Sequence, residues 1–207
     1  MTIPGAIERQ EPPDADPIAR FSLLLEEAIA IDRAFLPEPT AFALGTVSRD
    51  GQPSVRILLL KHVDARGFVF YTNFESRKGR ELSATGKAAL CFHWQPLEVQ
   101  VRVEGPVERV SDDEADAYFA SRARGSQLGA WASLQSRPID PPGELERRVA
   151  EFEAKFAGRD VPRPPHWGGW RLVPSAIEFW KNMPSRLHVR HRYTRSGSGW
   201  KIETLYP

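Results

Sequence analysis

The chain has 207 residues, with 28 Lys and Arg against 27 Asp and Glu, so its net charge is +1 with the five histidines neutral. That balance excludes a duplex binder working through a broad basic surface, and a 41% hydrophobic content excludes a disordered chain. No apolar run approaches the roughly 20 residues of a membrane span, no signal-like segment opens the chain, and the single Cys91 cannot build a disulfide framework or a cysteine-cluster metal site. A soluble cytoplasmic protein is expected.

Residues 1–15, with Pro4, Pro12 and Pro13, read as a mobile arm, and residues 16–207 as one domain. Asp16-Pro17 is a helix start, and Ile18, Phe21, Leu25, Ala28 and Ile29 recur at helical spacing toward Phe35, where Pro37 and Pro39 end the run. From Ala41 the period drops to 2. Ala41–Ser48 and Ser54–Lys61 flank a hairpin signal containing Asp50-Gly51, followed by Gly67–Thr72, Ala88–Trp94 and Glu98–Val110, a five-strand meander with a short helix, Ser76–Ala84, inserted after the third strand. Ser111 and Glu114 make a capping box for a helix reaching Arg122, and Gly143–Phe156 is a second amphipathic helix. The strands Trp167–Val173, Ile177–Trp180, Arg186–Arg195 and Trp200–Leu205 close the chain. The whole reads as α+β: an antiparallel β-barrel with helices packed outside it.

Four places attract chemical attention. Arg77 and Lys78 follow Ser76 in the first helical turn, against the positive end of the helix dipole, which suits either a solvated basic start or a bound phosphate. Arg56 and Lys61 end an apolar strand, where strict alternation points them to opposite faces. Gln100 alternates with the valines of Glu98–Val103 and is either an exposed polar residue or a partner for a ring with donor and acceptor atoms. Arg186, His188, Arg190 and Arg192 share one face of the expected Arg186–Arg195 strand, so that face is solvated or meets an anion, with Trp180 just upstream. Other chemistries lack their parts: there is no G-x-G-x-x-G, G-K-[ST] or H-E-x-x-H, Gly125–Gly129 is not a nucleophile elbow, and His188 and His191 make a poor metal pair.

The runs RILLLK, GFVFYTNFESRKGREL, EVQVRVEG, YFASRARGSQLGAWAS, LQS, WGGWRL, EFW and RLHVR, in this order over residues 16–207, resemble the pyridoxamine 5′-phosphate oxidase family. The resemblance implies an FMN-binding split β-barrel, active as a homodimer with flavin at the subunit interface. By position it implies FMN contacts from Arg56, Lys61, Tyr71, Thr72, Ser76, Arg77, Lys78 and Gln100, with the strand residues Ile57, Leu58, Leu59 and Leu60 alongside. Gln135, Ser136, Trp180 and Arg190 complete that set. Lys61, Tyr118, Arg122 and Ser126 match the substrate-phosphate and pyridoxyl contacts, and Arg186, Leu187 and His188 the segment over the substrate ring, with Arg186 and His188 as the catalytic pair. The implied reaction oxidises pyridoxamine or pyridoxine 5′-phosphate to pyridoxal 5′-phosphate with dioxygen as acceptor, without metal, nucleic acid or membrane. Alternatives are an oxidase of another heterocycle, such as a phenazine precursor, and a non-catalytic pyridoxal phosphate carrier. The chain departs from the family pattern at Lys181–Ser185 and at Val189, where an acidic residue is usual.

Overall fold

The Asp16-Pro17 start is used as expected: in the computed structural model, which describes residues 15–207, α1 spans Pro17–Ala30 and the Asp16 carboxylate accepts from the Ile18 N–H at 2.9 Å. Apart from Ala15, the arm lies outside the described residues. The helix stops at Ala30, short of Phe35, because Ile31 turns extended and the Asp32 carboxylate caps a separate turn through the Ala34 N–H at 2.8 Å.

The strands that follow are β1 (Ala41–Val47), β2 (Pro53–Leu59), β3 (His62–Asp64) and β4 (Gly67–Asn73); after α2 (Arg77–Thr85) come β5 (Lys87–Trp94) and β6 (Val99–Arg109). Three helices, α3 (Asp112–Ala120), α4 (Arg124–Ala132) and α5 (Glu144–Lys155), precede β7 (Trp167–Leu172), β8 (Ala176–Lys181), β9 (Val189–Ser196) and β10 (Gly199–Leu205). All pairings are antiparallel. The expected meander is corrected: β4 pairs with β3 and β7, not β5, because α2 carries the chain across to the far side of β1. The ring runs β2–β1–β5–β6–β7–β4–β3 and closes where residues 60–61 lead from β2 into β3, with the Lys61 N–H donating to the Val69 carbonyl at 2.9 Å.

The barrel splits along β6. Its first half, Val99–Glu104, pairs with β8, and its last residues, Val107–Arg109, pair with β7. Gly105 sits at the divergence, where a Cβ would come 2.0 Å from the Val173 carbonyl oxygen, so only glycine allows the two sheets to separate there. Beyond β8, strands β9 and β10 extend an outer sheet.

The barrel is filled by Phe42, Phe68, Phe70, Phe92 and Trp94, and α1 closes one end by inserting Phe21 edge-on between Phe68 and Phe92 at ring distances of 4.8 and 4.9 Å. Burying such a ring is worth about 1.5–3 kcal/mol, more than a short helix gains from propensity alone. Strand β4 is apolar on both faces because α3 and α4 cover its outer side through a second core of Phe119, Leu128, Phe156, Val161 and Trp167. Helix α4 has no counterpart in the periodicity reading; Gly125 and Gly129 depress its propensity, and packing against α5 and Trp167 supplies what propensity does not. No helix among the described residues is long and apolar enough to cross a membrane.

Candidate active site

Between the end of β2, the outer face of β4 and helices α3 and α4 lies a cleft of about 700 Å³. Ten of the expected residues line it: Ile57, Leu58, Leu59 and Lys61 from one side, Tyr71 and Thr72 from the floor, and Tyr118, Arg122, Ser126 and Gln135 from the other side. Strand β2 ends at Leu59, so Leu60 and Lys61 lie beyond it, and the two cations part as alternation expects: Lys61 lines the cleft, while Arg56 turns away toward β1. The wall is flat. Tyr71 and Tyr118 stack at 4.0 Å with planes 20° apart, and Trp167 continues the stack 5.4 Å from Tyr71. Burial pushes the Tyr71 hydroxyl up to about 12, helped by the Glu114 charge, and raises Tyr118, so both phenols are neutral donors.

Arg122 reaches over Trp167 at 4.7 Å, and its Nη1 is buried with no hydrogen-bond partner. Burial lowers its pKa, and among the described residues no carboxylate pairs with it. A guanidinium aimed into a cleft in this condition is a strong anion seat.

A second seat adjoins the cleft through Gln135. Ser76 caps α2, its Oγ accepting from the Gly79 N–H at 3.2 Å, and Gly79 is required because a Cβ there would lie 2.4 Å from the Phe74 carbonyl oxygen. Lys78 folds back over this turn: it is 7% exposed, and Nζ donates to Ser76 Oγ and Gln135 Oε1, both at 3.3 Å. Thr72 Oγ1 donates to the same amide oxygen at 3.5 Å, and the Arg77 backbone N–H donates to Ser136 Oγ at 3.2 Å. Burial first, then the Arg56 charge, pull Lys78 down to about 8, again with no carboxylate pair among the described residues.

Arg56 and Arg77 behave differently. Both turn to Glu81, a buried residue absent from the sequence expectations; Arg77 Nε donates to Oε1 at 2.9 Å and Arg56 Nη2 lies 3.4 Å from Oε2. Burial works to raise the Glu81 carboxyl, but hydrogen bonds from Ser54, Thr46 and Arg77 overcome it and hold the carboxyl at about 2.

The remaining expected residues gather elsewhere. Gln100, Trp180 and Arg190 stand in register across β6, β8 and β9, on a face of the outer sheet that does not line the cleft. The strand expected from Arg186 begins only at Val189: Pro184–Arg186 form a 3-10 turn, with left-handed φ of 57° at Ser185 and 61° at Arg186. Arg186, Leu187 and His188 therefore do not alternate with Arg190 and Arg192 as expected. Nor does this face await an anion: Glu178 accepts from Arg102 at 2.6 Å and from Arg190 at 2.9 Å. The His188 ring lies 4.5 Å from Trp180, and its Nδ1 accepts from the Met183 N–H at 3.2 Å, which leaves the ring proton on Nε2.

Residues 31–156 match the family model for pyridoxamine 5′-phosphate oxidase, and residues 167–207 match that for the pyridoxine 5′-phosphate oxidase C-terminal dimerisation region. The chain belongs to the pyridoxamine 5′-phosphate oxidase family. A pyridoxine/pyridoxamine 5′-phosphate oxidase of Myxococcus xanthus (strain DK1622) is 62% identical over 192 residues, 93% of this chain and 92% of the relative. One of the same name from Rhodospirillum rubrum is 57% identical over 199 residues, 94% of this chain and 98% of the relative. Among solved structures, PhzG from Burkholderia lata 383, in complex with tetrahydrophenazine-1-carboxylic acid, superposes with a TM-score of 0.87 at 34% identity, covering 98% of this chain and all of that one. A pyridoxamine 5′-phosphate oxidase-related, FMN binding protein from Nostoc punctiforme shares the fold, with a TM-score of 0.71 at 17% identity over 91% of this chain and 96% of that one. Against the family frame, sequence reading missed Trp167 as cleft wall and Glu81 as partner of two expected FMN contacts, Arg56 and Arg77. The WGGW run held the signal for Trp167; a lone Glu inside a helix held none.

Proposed function

We propose that the protein is a homodimeric, FMN-dependent oxidase that converts pyridoxamine and pyridoxine 5′-phosphate to pyridoxal 5′-phosphate and passes the electrons to dioxygen. The observation that carries this reading is a pair of cations with no carboxylate partner among the described residues: Arg122, whose buried Nη1 belongs to the flat aromatic cleft, and the buried Lys78, which adjoins the cleft through Gln135. Two anion seats around a flat space suit a phosphorylated ring substrate beside a phosphorylated ring cofactor.

The residues present fit FMN. The α2 N-terminus with Ser76, Arg77, Lys78 and Ser136 would take its phosphate, and Ile57–Leu59, Thr72 and Gln135 would flank the remainder. FMN held by these residues would supply the two-electron chemistry that the reaction needs, uptake of a hydride from the C4′ carbon of the substrate and its disposal to dioxygen as hydrogen peroxide. Lys61, Tyr118, Arg122 and Ser126 hold the substrate phosphate and so fix which face of its ring is presented.

Gln100, Trp180, Arg186, His188 and Arg190 would come from a second copy. Support comes from the dimerisation-region match, which contains four of the five, and from β2, an edge strand that leaves Val55 and Ile57 71% and 65% exposed. In that assembly Arg186 orients the reacting carbon and disfavours an added positive charge on the amine, while His188 offers its Nε2–H as a donor. No general base is assigned.

The test is peroxide release from flavin-loaded protein on addition of either phosphorylated vitamer, with a reduced phenazine carboxylate as comparison. Release with the vitamers alone is expected. Release with the phenazine compound alone selects the activity suggested by the PhzG likeness, and no release from any leaves a carrier.

A further inference from the structure

Helix α3, which carries Tyr118, is tied to the barrel by a side chain that the proposed reaction does not touch. Arg171 lies on the outer face of β7, opposite Val69 and Glu108, and its side chain is only 2% exposed. Nη2 donates to both oxygens of Glu114 at 3.0 and 3.1 Å, and Nη1 donates to Asp64 Oδ1 at 2.9 Å. Glu114 stands one helical turn before Tyr118, on the same face of α3.

The choice of partner is informative. The Ser111 and Glu114 pair makes only half of a capping box: Ser111 Oγ accepts from the Glu114 N–H at 3.2 Å, while the Glu114 carboxylate goes to Arg171 instead of back to the cap. The Tyr71 hydroxyl donates to the Glu114 carbonyl at 3.5 Å, so the first turn of α3 is tied to both β7 and β4. The stack of Tyr71, Tyr118 and Trp167 stands directly on this tie. On the solvent side, Arg163 pairs with Asp112 and Asp116, which are 87% and 58% exposed, so water and salt screen that contact. A buried ion pair is a weak source of net stability, because apolar residues of equal volume often do as well; what a planar guanidinium held by two carboxylates, Nη2 on Glu114 and Nη1 on Asp64, adds is direction.

We propose that Arg171 is a positioning residue: through Glu114 it sets the height of α3 over the sheet, and thereby the placing of the Tyr118 hydroxyl and the Arg122 guanidinium at the substrate phosphate. The inference rests on the assignment of Tyr118 and Arg122 to that phosphate.

It is tested with Arg171→Met, Arg171→Lys and Glu114→Gln in flavin-loaded protein, reading KM and kcat for pyridoxamine 5′-phosphate, the Ki of inorganic phosphate as competitor, and the flavin-to-protein absorbance ratio. The three carboxylates facing Arg171, those of Asp64, Glu114 and, at 4.0 Å, Glu108, are 26%, 28% and 61% exposed, so the Met and Gln variants leave groups that water can reach. The expected result is a rise of about tenfold in KM and in Ki together, with kcat and flavin content little changed and partial recovery in Arg171→Lys. Unchanged KM and Ki would overturn the proposal, as would a parallel loss of kcat, flavin and thermal stability at constant KM. Arg122→Met separates the two readings: if it too leaves KM and Ki unchanged, the phosphate assignment itself fails, whereas if it raises them and the Arg171 and Glu114 variants do not, only the positioning role fails.

Discussion

Around the cleft, the half-buried Arg122 with its buried Nη1 and the buried Lys78 have no carboxylate partner among the described residues, whereas on the outer face of β8 and β9, Arg102 and Arg190 converge on Glu178 at 2.6 and 2.9 Å. Both regions are basic in sequence, and both lie in segments that carry the family resemblance. The difference is whether the chain supplies its own counterion. A cation neutralised from within contributes to holding strands together, and one left unneutralised in a dry site keeps its attraction for whatever enters.

The largest expected effect comes from removing the unpaired guanidinium. Arg122→Met should lower kcat/KM for the phosphorylated substrate about 100-fold, the scale of a lost charge-assisted phosphate contact. The same change should leave thermal stability equal or higher, because it removes a partly buried charge that no carboxylate among the described residues offsets. A large fall in melting temperature would show that Arg122 is satisfied internally and would break the contrast.

Lys78→Met should weaken flavin retention by about tenfold or more, read from the absorbance ratio after dialysis. It also has a pH signature. The folded apoprotein holds the Lys78 ammonium at about 8 against an ordinary 10.5, so between those values the unfolded chain binds more protons and apoprotein stability rises with pH. Below about pH 8 the cost of the buried charge is present in full. Lys78→Met should flatten that rise relative to the parent, and a rise of equal size in both proteins would assign it to other groups.

The cleft was legible in the sequence because its parts are local: a cap followed by two cations, an apolar run leading to Lys61, and Tyr118 near the end of one helix with Arg122 four residues on. What sequence could not show is the state of each cation. That depends on long-range pairings, such as Arg56 and Arg77 with Glu81, or Arg190 with Glu178. The expected Arg186–Arg195 strand failed for a related reason. Polar residues at alternate positions satisfy the period of a strand, but the left-handed backbone at Ser185 and Arg186 starts it three residues late. The crossover of α2, which sets β4 beside β7, is likewise a choice of topology on which local periodicity is silent.

The smallest effect is expected where the counterion is built in. The Glu178 side chain is only 7% exposed, but its partners Arg102 and Arg190 are 43% and 25% exposed, so Glu178→Gln should cost about 1–2 kcal/mol at neutral pH, a value checked by denaturant unfolding of the apoprotein. Burial works to raise the Glu178 carboxyl, but hydrogen bonds and charge from Arg190 and Arg102 prevail and hold it below the usual 4.5. Its contribution is therefore present above that value and is lost as pH falls through the lower folded pKa, so parent and variant should converge in acid. The variant also sharpens the comparison with the cleft. With Glu178 neutral, Arg102 and Arg190 become two adjacent cations without a counterion, the condition that Arg122 and Lys78 already occupy. Sulfate should then stabilise the Glu178→Gln apoprotein more than the parent. An equal response to sulfate would mean that a missing carboxylate alone does not make an anion seat, and that the enclosed shape of the cleft is the deciding factor.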